Sequence, residues 1–424
     1  MILALVLFIL TYVLMISLPK YRAYVAFASA VVFVVLGILP LGQVFSAIDW
    51  NVLMMIAGTM GIVNIFIESR MPSRLADLII RAVPNVKWTI IALSVFAAVI
   101  SAFVDNVATV LMVAPVAVTI AKKLNISPVP SVIAIAIASN LEGAATLVGD
   151  TTSILLGGYA NMDFLDFFWM NGRPGMFWVV QIALIAATVT LLVVFRNYRQ
   201  TIESGELTKV EDYVPTVLLL GTVVLLILAS FIPGKPAITN GLICMILLLV
   251  GLIYEVVRHK KVAYLQRALL EMDFFTILLL ASLFVVIAGI QEAGVIDAIA
   301  ALFVQMGGNS VFIMYSLLLW ASVLLSAFID NIPYVATMLP VVAGIAAAMN
   351  VDPTVLYFGL LSGATLGGNL TPIGASANIM GIGILRRNGF EVKNGEFMRI
   401  SIPYTVAAIT TAYLVLWLIW GIKI

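Results

Sequence analysis

Apolar residues run along this chain in long blocks parted by short polar stretches. Ten such blocks lie at about 2–18, 23–41, 51–67, 128–160, 174–195, 214–232, 237–257, 272–290, 353–385 and 400–421. A helix needs about 20 residues to cross the hydrocarbon core of a bilayer, so the pattern predicts ten crossings. The first block has no basic residue before it and so lacks the n-region of a cleaved signal peptide. It is read as the first span. The blocks at 128–160 and 353–385 are too long for one straight helix. Two further apolar stretches, about 88–123 and 310–348, are each split by Asp-Asn. They read as helical hairpins that enter the membrane and return to the same side.

The pattern repeats. SAFVDNVATVLMVAPV (101–116) matches SAFIDNIPYVATMLPV (326–341) at an offset of 225, with 17 identities across 101–154. Asn125 meets Asn350, Pro128 meets Pro353, Gly143 meets Gly368, Thr146 meets Thr371 and Gly149 meets Gly374. Upstream the register slips by one, so Asp49 meets Asp273 and Glu68 meets Glu292. The first repeat is assigned to 1–196 and the second to 214–424, joined by a polar cytoplasmic linker at 197–213. Each holds five crossings and a hairpin. Five is odd, so the second copy is expected upside down, the arrangement found in secondary transporters. The expected fold class is an all-α polytopic membrane protein of two inverted-topology repeats.

Composition agrees with a membrane solvent. The chain is 63% hydrophobic and 10% charged, against roughly 45–50% and about 25% for soluble domains. A net charge of +1 leaves no basic footprint for nucleic acid. One Cys (Cys244) and one His (His259) cannot build a zinc or haem cage. Cys244 reads as apolar filler, and His259 as part of a solvated basic loop. No cofactor is expected beyond a bound Na⁺, and no Ser-His, Asp-Asp or His-carboxylate pattern suggests an enzyme. If both termini lie outside, the inside loops carry nineteen Lys and Arg residues and the outside three, Arg173, Lys235 and Lys423. That bias follows the positive-inside rule. Trp50, Trp88, Trp169 and Trp178 fall near predicted span ends, as an interfacial belt places them. The lack of long loops points to a prokaryotic inner (plasma) membrane.

Polar residues inside these blocks carry the chemistry. They are the hairpin tips Asp105-Asn106 and Asp330-Asn331, and the Gly- and Pro-rich breaks LEGAATLVGDTTS (141–153) and LGGNLTPIGASAN (366–378). Irregular backbone at this depth is tolerated only where it lines a cavity or is buried in protein. Half-helices starting after each break offer positive N-terminal ends, and freed carbonyls offer cation ligands. An intramembrane acid is a functional candidate by default, although Asp and Asn are also good N-caps. Ser101 and Ser326 read as helix-packing residues. Thr151, Thr152, Ser153, Ser376 and Asn378 cluster just after a break and are candidate ligands. Glu142 faces Gly367 and Asp150 faces Ala375 in the repeat, so two acids belong to the first half alone. No Lys or Arg lies within 88–121, 124–160, 310–348 or 353–385. The site is therefore expected to be net acidic. The coupling-ion candidates are Asp150, then Asp105, with Glu142 either a third or a structural acid.

These motifs, with TLVGDTTS and NLTPIGASANI, resemble the arsenite permease, melanosomal P-protein and sodium–proton antiporter branch of the ion transporter superfamily (CitMHS-like), over essentially the whole chain. The resemblance implies a scaffold domain, often dimeric, and a transport domain of two hairpins and two broken helices that moves like an elevator. It implies that Asp105, Asn106, Thr146, Gly149, Asp150, Thr151, Thr152, Ser153, Asp330, Asn331, Asn369, Thr371, Gly374, Ser376 and Asn378 line or shape the ion and substrate site. Dicarboxylate members carry Ser-Asn-Thr at their hairpin tips, where Asp-Asn stands here. A di-anion beside ionised Asp105 and Asp330 meets Coulomb repulsion of about 4 kcal/mol per close pair at an effective dielectric of 20. The expected cargo is thus a small inorganic solute such as arsenite or antimonite, coupled to H⁺ or Na⁺. Sodium–proton antiport and sodium-coupled uptake of a small anion or dicarboxylate are the alternatives.

Overall fold

The computed structural model describes residues 1–201, 207–260, 272–308 and 310–422. Lys261, Arg267 and Lys423 of the loop-charge count, and part of the 197–213 linker, lie outside the described residues. Two helices, α1 (Ile2–Ser17) and α2 (Arg22–Val35), meet at a 114° bend. Sixteen and fourteen residues reach only about 24 and 21 Å at 1.5 Å per residue. Each is too short to cross a core of about 30 Å upright, so the two expected spans are one bent pair. After the single turn α3 (Val44–Ala47) come α4 (Trp50–Glu68) and α5 (Met71–Ala82).

The first hairpin is α6 (Val86–Ser101) and α7 (Asn106–Lys123). The first broken helix is α8 (Val129–Gly143) and α9 (Thr151–Tyr159), and a two-stranded turn, β1 (Trp169–Met170) and β2 (Arg173–Pro174), leads into α10 (Met176–Val194). Next stand α11 (Val214–Ser230), α12 (Thr239–His259), α13 (Phe274–Glu292) and α14 (Val295–Gly307). The second hairpin is α15 (Val311–Ser326) and α16 (Asn331–Met349), and the second broken helix is α17 (Thr354–Gly367) and α18 (Ser376–Arg387). Last is α19 (Asn394–Leu416), which runs on through a π-helical turn to Gly421.

By length and composition, seven helices among the described residues are able to cross a membrane, or nine if each bent pair counts as one span. Two of the seven, α7 and α16, are hairpin arms, so five of the ten expected crossings meet this test as single helices; the other five are the bent pair α1 and α2, the two broken helices and α11, which is apolar but short. Neither α5 nor α14 was expected. Both follow a residue in left-handed backbone, Arg70 (φ 61°) and Gly294 (φ 70°), which turns the chain sharply off the preceding helix.

The element boundaries repeat along with the sequence. At an offset of 224, α4 and α5 begin where α13 and α14 begin; at 225, α6, α7, α8 and α9 begin where α15, α16, α17 and α18 begin. Asn125 and Asn350 share left-handed backbone (φ 53° and 54°) after α7 and α16, a conformation Asn tolerates. The packing partners recur as well: α4 lies along α12 as α13 lies along α2, and α6 along α8 as α15 along α17. Cys244 is fully buried, its backbone pressed on Gly58 of α4, as filler. His259 ends α12 and pairs with Glu255 at 3.2 Å, so it is not part of a loop. Trp50, Trp88, Trp169 and Trp178 are exposed near helix ends.

Each break is pinned to the hairpin of its own half. The Thr146 hydroxyl donates to the Ala102 carbonyl, and the Thr371 hydroxyl to the Ala327 carbonyl. Ser153 Oγ donates to the Gly143 carbonyl (3.1 Å) and Asn378 Nδ2 to the Gly368 carbonyl (3.1 Å). Glycine is required at the contact. A Cβ on Gly149 would lie 2.7 Å from the Gly143 oxygen and 2.8 Å from that of Ser101; one on Gly374 would lie 2.6 Å from the Gly368 oxygen and 2.8 Å from those of Ser326 and Ala327. Gly149→Ala and Gly374→Ala are each expected to lose about 1–3 kcal/mol through overpacking against backbone, read as a lower Tm of the purified protein. Gly383→Ala, with open space at its Cβ position, is expected to be neutral or slightly stabilising.

Candidate functional site

The two tips and two breaks converge, bringing four helix N-termini together: those of α7, α9, α16 and α18. Asp105 caps α7, accepting from the Val107 and Ala108 amides at 3.0 and 3.3 Å. Asp330 caps α16, accepting from Ile332 N at 3.1 Å. Capping is thus real at both tips, and it leaves carboxylate oxygens over. Asp150 opens α9; its Oδ2 accepts from Thr152 Oγ1 (2.8 Å) and, across the repeat, from Asn331 Nδ2 (3.5 Å). The matching N-cap of α18 is Ala375, with no side-chain bond to the first turn.

A cavity of about 690 Å³ opens onto this convergence. Of the expected residues, Asp105, Asn106, Asp150, Thr151, Asn331 and Ser376 line it. Thr152 sits behind Asp150, 3.2 Å from the Thr365 hydroxyl. Thr146, Gly149, Ser153, Asn369, Thr371, Gly374 and Asn378 hold the breaks in place and are not among its walls. Glu142 is also absent from the lining; it accepts from Gln181 of α10.

Positive charge enters from a segment the sequence reading placed in a loop. Lys20 and Arg22 line the cavity, and Arg22 Nη1 lies 2.6 Å from Asp330 Oδ2, which also accepts from Ser376 Oγ at 3.0 Å. The expectation of a site without cations is therefore corrected. Arg22 is 308 residues from Asp330, and no local pattern announces that contact. Asp273 and Asn64 complete the polar wall; Asp273 was visible only as the repeat partner of Asp49. The cavity thus has one end where the Arg22–Asp330 ion pair, Ser376 and the bare N-terminus of α18 meet beside Lys20, and an acidic end at Asp105 and Asp150.

Behind it runs an amide network that the sequence reading missed. Buried Asn140 accepts from Asn106 Nδ2 (2.8 Å) and donates to the Thr365 carbonyl (2.9 Å) and Asn369 Oδ1 (3.1 Å). Asn369 donates to the Ile137 carbonyl at 2.9 Å. Ser139 Oγ donates to the Asn106 carbonyl and to Ser101 Oγ, both at 3.0 Å, and Ser326 Oγ to the Ala364 carbonyl at 2.5 Å, so Ser101 and Ser326 pack helices as expected. An Asn at mid-helix in an otherwise apolar run was the available signal.

Helices of this length and apolarity, broken in pairs around a polar cavity, define a polytopic membrane transporter. The chain belongs to the CitMHS family, described as citrate transporter, whose profile matches residues 12–363. It is 32% identical over 437 residues to an uncharacterized transporter of Mycobacterium tuberculosis, covering 98% of this chain and 97% of that one. The human P protein is 26% identical, across 87% of this chain and 53% of its own length. Among solved structures the fold resembles the YdaH transporter of Alcanivorax borkumensis (TM-score 0.59, 14% identity, 88% of this chain and 85% of that one). It also resembles MtrF of Neisseria gonorrhoeae, described among antimetabolite efflux pumps (TM-score 0.54, 16% identity, 87% and 80%).

Two outcomes follow. Asn140→Ala strands the Asn106 and Asn369 amides and is expected to cost about 2–4 kcal/mol, from roughly 1–3 for each buried group left unpaired, seen as a fall in Tm. Arg22→Gln leaves Asp330 unpaired and is expected to cost about 2–3 kcal/mol, between exposed and fully buried ion pairs. Arg22→Gln with Asp330→Asn is expected to recover most of that stability; additive losses in the double variant contradict a direct pairing.

Proposed function

We propose that this protein is a secondary active transporter that carries a small anion through the cavity together with H⁺ or Na⁺. The observation that carries this reading is the juxtaposition of Arg22, Ser376 and a bare helix N-terminus with Asp105 and Asp150. The first group suits an anion. The second suits a cation or proton, with Asp150 the coupling residue. A volume of about 690 Å³ is that of a pocket for an organic molecule and exceeds the need of an arsenite-sized solute. Pairing with Arg22 removes the Asp330 share of the repulsion that disfavoured a carboxylate cargo, and Lys20 offsets part of the rest. Arsenite or antimonite remains the inorganic candidate to be tested beside it. Sodium–proton antiport is the second reading, favoured by three acids in the lining, Asp105, Asp150 and Asp273, against two cations.

An unequal packing of equal parts supports alternating access. In one place α4 packs on α9, with Gly158 close against Asp49 and Val52. In the repeat-related place the cavity parts Asp273–Thr276 of α13 from Ser376, Ile379 and Met380 of α18. Likewise α13 packs on α16, whereas α4 and α7 touch more sparingly and the cavity is lined by Met60, Val63 and Asn64 of one and Val107, Ala108 and Leu111 of the other. If the second repeat is inverted, as the sequence leads one to expect, exchanging the two packings would open the other side. In this reading α6–α9 and α15–α18 form the transport domain, which moves like an elevator against a scaffold built on α1, α2, α4, α11, α12 and α13. In this reading the cavity mouth, with Lys20 and Arg22 beside it, faces the inside of an inner or plasma membrane, in keeping with the positive-inside bias. Homodimerisation through the scaffold belongs to the same proposal.

Flux in proteoliposomes tests this. A H⁺ or Na⁺ gradient is expected to drive accumulation of a citrate-sized carboxylate, and Asp150→Asn is expected to reduce accumulation to background while leaving downhill exchange. Accumulation unchanged in Asp150→Asn removes that residue from coupling. Sodium-driven pH change with no solute present selects the antiporter, and gradient-driven flux of arsenite alone selects the inorganic cargo.

A further inference from the structure

Behind the broken helix, on the side away from the cavity, lies a second group of buried polar atoms. Glu142, one residue before the α8 break, is 1% exposed. Its Oε1 accepts from Gln181 Nε2 of α10, and its Oε2 has no hydrogen-bond partner in the protein. On α19, Ser401, Tyr404 and Thr405 are all fully buried, and all three hydroxyls also lack partners. Spacings of three and four put these side chains on one helical face. Helix α19 packs on both α8 and α10, the helices that carry Glu142 and Gln181.

One carboxylate oxygen and three hydroxyls, all buried without partners on packed helices, are costly to leave unsatisfied. The Glu142 side chain has no basic partner among the described residues. We propose that Glu142, Ser401, Tyr404 and Thr405 form a buried site for a dehydrated monovalent cation, Na⁺ in the first instance. The donor set is all oxygen, which suits a hard cation. Its single carboxylate balances one positive charge; a divalent ion would leave excess charge buried in the membrane. A proton on Glu142 would satisfy at most one of the neighbouring hydroxyl oxygens, whereas a coordinated cation draws on all of them.

The site belongs to the first half only. At the repeat-related position stands Gly367, where a Cβ would lie 2.6 Å from Val323 backbone atoms. It is also placed to act on the break: a Cβ on the next residue, Gly143, would lie 2.9 Å from Asp150 Cβ. An ion drawing on Glu142 therefore stiffens the end of α8 against which Asp150 is set. This site stands on its own geometry and does not require the transport reading of the cavity.

The test is ²²Na⁺ binding to the purified protein at constant pH, with infrared difference spectra on Na⁺ addition. Saturable binding and a Na⁺-induced carboxylate band are expected in the wild type. In Glu142→Gln the band is expected to vanish and this component of binding to weaken by tenfold or more. In Thr405→Val and Ser401→Ala, which keep shape and charge, binding is expected to weaken several-fold. Asp150→Asn is expected to retain the Glu142 band, which separates this site from the cavity. Binding untouched by Glu142→Gln and Thr405→Val overturns the proposal, as does a spectrum showing only a protonated Glu142 that ignores Na⁺.

Discussion

The fold depends on keeping unwound backbone satisfied where no bulk water reaches. Two helices stop within the protein, each leaving carbonyls and amides that lipid cannot satisfy. The chain answers with the same devices in each half: a threonine hydroxyl on the hairpin turn, a Ser or Asn side chain on the last carbonyl before the break, and a glycine where the strands of backbone touch. Because these bonds tie each break to its own hairpin, a tip and a break move as one piece. That bonding joins four loose ends into a single surface, the unit that travels in the proposed mechanism.

Two equal pieces on one frame need not sit equally. The first break is packed against α4, and the second stands off α13 across the cavity. Under the alternating-access proposal, the repeat offers the opposite arrangement similar interactions, and a bound ion or solute selects between the two states. Asymmetry in sequence adds direction. Asp150 has no acidic counterpart in the second half, and Arg22 pairs with Asp330 alone, so one end of the cavity holds a compensated carboxylate and the other uncompensated ones.

Much of this was legible in the sequence because it was written twice. The hairpins at 88–123 and 310–348 and the breaks after Gly143 and Gly367 follow from polar and glycine positions held in register, and the helices begin where the repeat requires. What escaped was of two physical kinds. The amphipathic helix α5 never builds an apolar run, so its signal is helical spacing alone, and the apolar run of α14, Ala298–Val304, is only seven residues long. Long-range contacts such as Arg22 with Asp330, or Asn140 with Asn369, depend on tertiary placement that no local pattern encodes. Counting cations only within the site's own segments made the cavity look more acidic than it is. The same repeat that exposed Asp150 as unpaired also marked Glu142, yet it did not reveal that the two acids lie on opposite sides of the broken helix.

Accessibility at one repeat-related pair tests the central claim, that two like halves exchange packings around one site. Ile379 is 50% exposed in the cavity, and its counterpart Ile154 is 3% exposed. With Cys244 replaced by Ala, cysteines at each position can be challenged with an impermeant thiol reagent from either face of sealed vesicles. The account predicts labelling of Ile379→Cys from the cavity side and, under conditions that favour the other state, labelling of Ile154→Cys from the opposite face as position 379 becomes protected. Labelling of both from one face, or an Ile154→Cys that stays protected throughout active transport, would contradict it.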